Sequence, residues 1–280
     1  MIGHTLDQFE QKHGGEKIAT LKKQLANATH DNRVLVVDVP DENNVIQFGV
    51  SGDLHRGSLF EATAEYKAYR KRLVAEGITL ELNAGDVLSG HRVYRGHEYE
   101  VYALGYEEQK KAFLKSVPDD GITTMFITGN HDTSFKNLAG VNVGQDLQAA
   151  RPSWQYVGEY QADIVLRTKN GREYKVRLLH PDGGTSYALS YRMQKQIESL
   201  AGGTKPNMLI SGHNHKAMHL PSYRNVDGLE SGCFEHQTPF MARKGSPAHV
   251  GGWIIRVTVG DKKSMSNSIR AEFVAFYKER

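Results

Sequence analysis

Seven side chains, Asp53, His55, Asp86, Asn130, His180, His213 and His215, fall in five short clusters that could together grip metal ions. The clusters read Gly52-Asp53-Leu54-His55, Gly85-Asp86, Gly129-Asn130-His131-Asp132, Leu179-His180 and Gly212-His213-Asn214-His215. Imidazole and carboxylate donors suit Mn²⁺, Fe or Zn²⁺, and no thiolate joins the set. The alternation of a strand end would turn Asp53 and His55 to one side, where both could chelate one ion. His213 and His215 share that spacing. The glycines at 52, 85, 129 and 212 would allow tight turns as each strand delivers its ligand. A buried histidine or aspartate taken alone is usually a hydrogen-bonded core or capping residue. An ordered set of five clusters is far more specific.

Each cluster follows a segment that reads as a strand. β-Branched and apolar runs over residues 45–50, 79–83, 123–128, 173–179 and 207–210 each end at one of them. Ligand sites of α/β sheets lie in the loops at the carboxyl ends of strands. Further strands are predicted over 34–37, 162–168, 252–259 and 269–277, with Lys169-Asn170-Gly171 as a hairpin turn. Helices are predicted over 6–28, broken near Gly14-Gly15, and over 58–76, 98–117 and 188–200.

With 39% hydrophobic and 24% charged side chains over 280 residues, the composition suits a globular protein with a sizeable core. The division expected is an N-terminal helical extension over 1–31 and one domain over 32–280. The net charge of +3, from 35 basic and 32 acidic side chains, neither demands nor excludes a polyanionic partner. Cys233 is the one cysteine, so no intramolecular disulfide forms. No apolar signal core and no run of the ~18 apolar residues that span a membrane is present, and a cytoplasmic location is expected. Oligomeric state is not encoded in any feature of the chain.

In this order the clusters resemble the calcineurin-like metallophosphoesterases, whose signature is D-x-H, G-D, G-N-H-[DE], H and G-H-x-H. The resemblance runs over roughly residues 45–260. It implies an α/β fold, a four-layer α/β/β/α sandwich of two mixed sheets. It also implies two divalent ions, manganese first, with iron, zinc or magnesium as alternatives. Asp53, His55 and His215 would hold the first ion, Asn130, His180 and His213 the second, and Asp86 would bridge them. A water between the ions would attack phosphorus in line. His131 would act on the phosphoryl or leaving oxygen, with Asp132 orienting it.

The substrate expected is a phosphodiester, first of all in nucleic acid, DNA or RNA, or in a nucleotide. A cyclic nucleotide or another small phosphodiester is the alternative, and a non-catalytic partner-binding scaffold a third reading. Arg56 and His91, just beyond ligand loops, are the leading phosphate-contacting candidates, ahead of Arg92, Arg192, Arg243 and Lys244. The Gly183-Gly184 turn could present N–H groups to a phosphate. After Asp86 the chain reads Val87-Leu88-Ser89-Gly90-His91 and lacks the Asp-Arg-Gly element of protein Ser/Thr phosphatases. The stretches 186–195 and 234–244 resemble phosphoesterases of phage and prophage genomes.

Overall fold

The structure, a computed structural model, describes residues 34–184, 186–260 and 267–277. The helix predicted over 6–28, and with it the 1–31 extension, lies outside the described residues. The strands in chain order are β1 (Val34–Asp38), β2 (Asp41–Glu42), β3 (Val45–Ser51), β4 (Leu80–Asn83), β5 (Thr123–Thr128), β6 (Trp154–Glu159) and β7 (Gln161–Arg167). Then come β8 (Glu173–Leu179), β9 (Met208–Ser211), β10 (Ala217–Tyr223), β11 (Val226–Ser231), β12 (Gly251–Thr258) and β13 (Ser268–Ala275). The helices are α1 (Thr63–Ala75), α2 (Tyr106–Ser116), α3 (Asn130–Ala139), α4 (Val143–Ala150), α5 (Leu189–Glu198) and the short α6 (Pro239–Arg243).

Two mixed sheets result. One has the order β1-β7-β8-β9-β11-β10; the other has β13-β12-β3-β4-β5-β6, with β2 paired to β3. In the first, β8, β9 and β11 run parallel. In the second, β3, β4, β5 and β6 do. The sheets face each other across a core that includes Ile46, Phe48 and Val50 of β3 and Ile164, Leu166, Val176 and Leu178 of β7 and β8. Strand alternation sends neighbouring residues to different cores. Ile255 of β12 joins that inner cluster, whereas Ile254 packs outward with Leu73, Phe113, Phe135 and Leu147 of α1–α4. Met193 and Ile197 of α5 cover Leu209 and Val226 on the other outer face. The protein is therefore the four-layer α/β/β/α sandwich.

A buried ion network ties α1 to the sheet beneath it. Arg70 is 1% exposed and donates to Glu81 at 2.6 Å, to Thr124 at 2.8 Å and to Asp120. Removing one partner of such a pair leaves a charge buried without its counter-ion. Arg70→Met is thus expected to destabilise the fold by about 3–5 kcal/mol. Urea unfolding measures this, and a loss below about 1 kcal/mol would show the network to be dispensable.

Two predicted helices begin later than their composition suggests, for one shared reason. Ser58 forms a β-bridge with Val101 and Glu61 one with Glu235, and these bridges hold both segments out of the α-helix, the second after a single 3-10 turn at His97–Tyr99. Helix α1 starts only at Thr63, and α2 starts after Gly105 with Glu107 and Glu108 in its first turn. Strands β2, β6, β10 and β11 and helices α3, α4 and α6 have no counterpart in the sequence reading. Pro221 lies within β10, a strand at the sheet edge, where a missing N–H is tolerated.

Candidate metal centre

Six parallel strand ends supply the site. Asp53 and His55 follow β3, Asp86 follows β4 and Asn130 opens α3 after β5. His180 follows β8, His213 and His215 follow β9, and Glu235 follows β11. The strand-end rule thus holds, but strand alternation does not aim Asp53 and His55, because β3 stops at Ser51. Instead Asp53, His55, Asp86, His213 and His215 all take the left-handed conformation, with φ of 51°, 45°, 52°, 75° and 54°. That conformation costs roughly 1–2 kcal/mol per non-glycine residue, and recurs where the surroundings over-determine it. Those surroundings include a backbone ladder in which Asp53, Leu54 and Arg56 donate to Gly85, Asp86 and Val87.

Most of the flanking glycines serve proximity and not turning. A Cβ on Gly129 would lie 2.2 Å from Asp86 Oδ1 and 2.6 Å from His180 Nε2, and one on Gly212 would lie 2.5 Å from the Ala84 carbonyl. Of the four, Gly85 alone has a positive φ, +95°.

The seven predicted ligands come together in two groups that Asp86 joins. Asp53, His55 and His215 offer donor atoms within 4.8 Å of one another, as do Asp86, His180 and His213. In the first group His55 Nε2 and His215 Nε2 are 3.1 Å apart, and His215 Nε2 lies 3.5 Å from Asp53 Oδ1. In the second, Asn130 Oδ1 lies 3.1 Å from His180 Nε2 and 2.9 Å from His213 Nδ1. Asp86 Oδ2 stands 3.1 Å from His180 Nε2 and 4.0 Å from His55 Nε2. The Asp53 carboxylate also accepts the His213 N–H at 3.0 Å, which ties the two groups by the backbone.

The outer nitrogens fix the tautomers. His180 Nδ1 donates to the Ala84 carbonyl at 2.7 Å, and His213 Nε2 donates to the Gly183 carbonyl at 2.7 Å. With an ion bound, each could therefore offer its other nitrogen, unprotonated, toward the cluster, as a metal ligand requires. Two imidazole nitrogens facing each other at 3.1 Å repel unless a proton or a cation lies between them. The donor set therefore fits divalent ions of the Mn, Fe or Zn type.

Burial opposes charge on His180, yet the Asp86 carboxylate beside it raises its pKa to about 9. Burial likewise works against ionised Asp86, but His180, His131 and His55 hold its pKa well below the carboxylate range. Burial and the neighbouring His131 and His215 push His55 well down. An ion entering this cluster must release the His180 proton, so affinity falls with pH.

His131 also faces the cluster, its donor atom within 4.8 Å of those of His55 and Asp86. Its N–H donates to Asp86 Oδ1 at 2.9 Å and its Nδ1 to the Ser89 carbonyl at 2.5 Å. Ser89, not Asp132, therefore orients the ring. Asp132 instead accepts the N–H groups of Val87, Leu88 and Gly129 at 3.2, 2.9 and 3.0 Å, capping α3 and shaping the loop after Asp86. Burial and repulsion from Asp86 raise its pKa to about 7.

The predicted phosphate contacts are placed differently. Arg56 is fully buried, donates to Thr63 Oγ1 at 2.7 Å and lies 5.1 Å from the Tyr66 ring centre. It braces α1 and does not reach the cleft. His91 is turned toward the Leu104 carbonyl, 3.5 Å from its Nδ1, and also does not line the cleft. Arg192 donates to the carbonyls of Gly184 and Asp182, steadying that turn. Arg243 is exposed and outside the cleft lining, whereas Lys244 is the one Lys or Arg among the described residues that lines it. The Gly183-Gly184 turn lines it too, but toward His213 it offers a carbonyl.

Sequence reading missed Glu235. It is 5% exposed, and its Oε2 lies 3.9 Å from His55 Nε2 and 3.8 Å from His215 Nδ1, a buried nitrogen with no hydrogen-bond partner. Burial pushes its pKa up to about 7. A carboxylate there can fix the His215 tautomer or add a donor. Glu235→Gln is expected to weaken the first ion's binding by roughly 10–100-fold. Calorimetric Mn²⁺ titration would read this, and unchanged affinity would remove Glu235 from the site.

The cleft above the cluster has a volume of about 480 Å³, and Val93, Tyr94, Phe240 and Met241 are among its lining residues. No helix among the described residues is long and apolar enough to cross a membrane.

The sequence model of the calcineurin-like phosphoesterases matches residues 46–217. A DNA polymerase II small subunit from Halobacterium salinarum, found in two strains, is 27% identical over 235 residues. That match covers 70% of this chain and 45% of the relative, so the chain spans less than half of its length. Among solved structures, a conserved uncharacterized protein from Streptococcus pneumoniae aligns at 11% identity and a TM-score of 0.40, covering 82% of this chain and 90% of that one. Vacuolar Protein Sorting 29 from Cryptosporidium parvum aligns at 14% and 0.41, covering 83% and 99%.

Proposed function

The chain belongs to the calcineurin-like phosphoesterase family, and from that premise we propose that it hydrolyses a phosphodiester of nucleic acid or a nucleotide with two divalent ions. The single observation that carries the reading is the position of Asp86 Oδ2, 3.1 Å from His180 and 4.0 Å from His55, between two complete donor groups. Asp53, His55 and His215 would hold one ion, Asn130, His180 and His213 the other, with Asp86 shared. Manganese suits the nitrogen and oxygen donors. When bound, such ions lower the pKa of water to near neutrality and polarise the phosphoryl oxygens.

The protein's own groups supply position and a proton. With Nδ1 held by the Ser89 carbonyl, His131 turns Nε2 to the cleft it lines. Burial lowers its pKa in the free protein. A phosphodiester anion beside it favours the charged form, so the proton arrives with the substrate. As the oxygen of water bonds to phosphorus and the ester bond breaks, the leaving oxygen takes that proton from Nε2. A diester is favoured over a monoester because, among the described residues, Lys244 is the one Lys or Arg in the cleft lining, where a dianion would call for more. The relative's name, DNA polymerase II small subunit, supports a nucleic-acid setting.

The Mn²⁺-loaded protein is expected to hydrolyse bis-p-nitrophenyl phosphate and to lose that activity to chelator. A panel of single- and double-stranded DNA, RNA and cyclic nucleotides then sorts the substrate. No turnover with any divalent ion would replace this reading with a partner-binding scaffold.

A further inference from the structure

We propose that Glu230 is a positioning residue for both proposed metal groups: by holding the Asn214 amide it fixes the loop that sends His213 to one group and His215 to the other. This deepens, and rests on, the two-ion reading above. His213 and His215 are two residues apart, and in an extended strand such a pair shares one side. Here they diverge. His213 Nδ1 lies 2.9 Å from Asn130 Oδ1 in one group, and His215 Nε2 lies 3.1 Å from His55 Nε2 in the other. The backbone achieves this with a left-handed residue on either side of Asn214, φ being 75° at His213 and 54° at His215. Residues other than glycine disfavour that conformation, so a loop carrying two of them needs a hold from outside.

Asn214 provides the grip. It is 7% exposed, and its Nδ2 donates to both oxygens of Glu230, at 3.2 and 3.1 Å. A carboxylate only accepts, so the amide must turn its NH₂ toward it. Asn214 Oδ1 is buried and has no hydrogen-bond partner among the described residues. The Glu230 carboxylate is therefore the group that orients this amide. A hydrogen bond to a charged acceptor is also stronger than one between neutral groups.

Glu230 is itself fixed by the sheets. It is 2% exposed and lies on β11, between β9 and β10. Its register partner on β9 is Ser211, the last residue of that strand, and its partner on β10 is Met218. Its carbonyl accepts the indole N–H of Trp253, from β12 of the other sheet, at 2.9 Å. The loop is thus gripped by an inner strand and not by another loop, and a rigid element holds the spacing of donor groups more closely than a loop can. Burying a carboxylate costs free energy, and Asn214 is the side chain that hydrogen-bonds it in return.

Calorimetric Mn²⁺ titration of the full chain tests the proposal. It is done without substrate, because Asn214 also lines the cleft and a substrate contact would not register there. Glu230→Leu and Asn214→Ala cut the same bond from its two ends, so a folding failure of one leaves the other. Each is expected to weaken both ions by roughly tenfold or more. The double variant should lose no more than either single one, because the pair acts as a unit. Glu230→Gln keeps an acceptor for the amide and should bind both ions nearly as the unaltered protein does. A residue that served only the fold would not show this rescue together with loss at both ions. Unchanged affinities in the two single variants, loss of one ion alone, losses that multiply in the double variant, or a glutamine variant as weak as the leucine one would overturn the proposal. An unaltered protein that binds fewer than two ions would overturn the two-ion reading and this one with it. Two ions weakened together in a protein that hydrolyses nothing would overturn only the catalytic reading and support this one.

Discussion

Asp86→Asn is expected to lower kcat/KM on a phosphodiester by at least about 10³-fold and to reduce bound metal from two ions per chain to one or none. Asp86 is 1% exposed, and its Oδ2 is the atom that both histidine groups approach. The amide keeps the size of the side chain and can still accept the His131 N–H, so the loop should survive. What it loses is the negative charge. Two neighbouring cations without a shared anion repel, and the donor groups on either side cannot offset that repulsion. Elemental analysis after dialysis and a Mn²⁺-dependent rate would give both halves of the answer. A variant with two tightly held ions and a tenth of the wild-type rate would show that Asp86 does not join the groups.

His131→Ala is expected to fall by roughly 10²–10⁴-fold in kcat while keeping its metal. The ring sits over the first group, 4.4 Å from the His55 ring centre, and its Nδ1 is fixed by Ser89. Its removal leaves the seven proposed ligands in place. Metal titration should thus be unchanged and KM little affected, since the proton matters when the ester bond breaks. A leaving group that needs no proton, such as p-nitrophenolate, should suffer less than an alkoxide. Equal losses with both leaving groups would show that His131 acts on the phosphoryl oxygens. Loss of metal together with rate would make it a ligand.

The two variants divide the site by what each residue contributes, and the same division marks how legible it was. Histidines and carboxylates two residues apart, each after an apolar run, announce themselves by type. Glu235 does not, because it is one glutamate in a loop after β11, a strand that went unread. Arg56 shows the converse. Its charge and position beside Asp53-Leu54-His55 suggested phosphate, yet burial beneath α1 against Thr63 and Tyr66 gives it a structural partner. The resemblance implied that Asp132 orients His131. On a helix, neighbours in sequence point about 100° apart, and Asp132 turns back to cap its own helix.

From the amino-acid order alone came the donor types, their five clusters and the strands that end at them, because hydrophobic periodicity and donor chemistry are local; the layered architecture came with the family resemblance that those clusters carry. The distances between those clusters, the sixth loop with Glu235, the left-handed backbone at five candidate ligands and the stacked pair of Tyr94 and Phe240 belong to the tertiary structure. Each depends on which strands become neighbours, and that choice is made by packing between segments far apart in the chain.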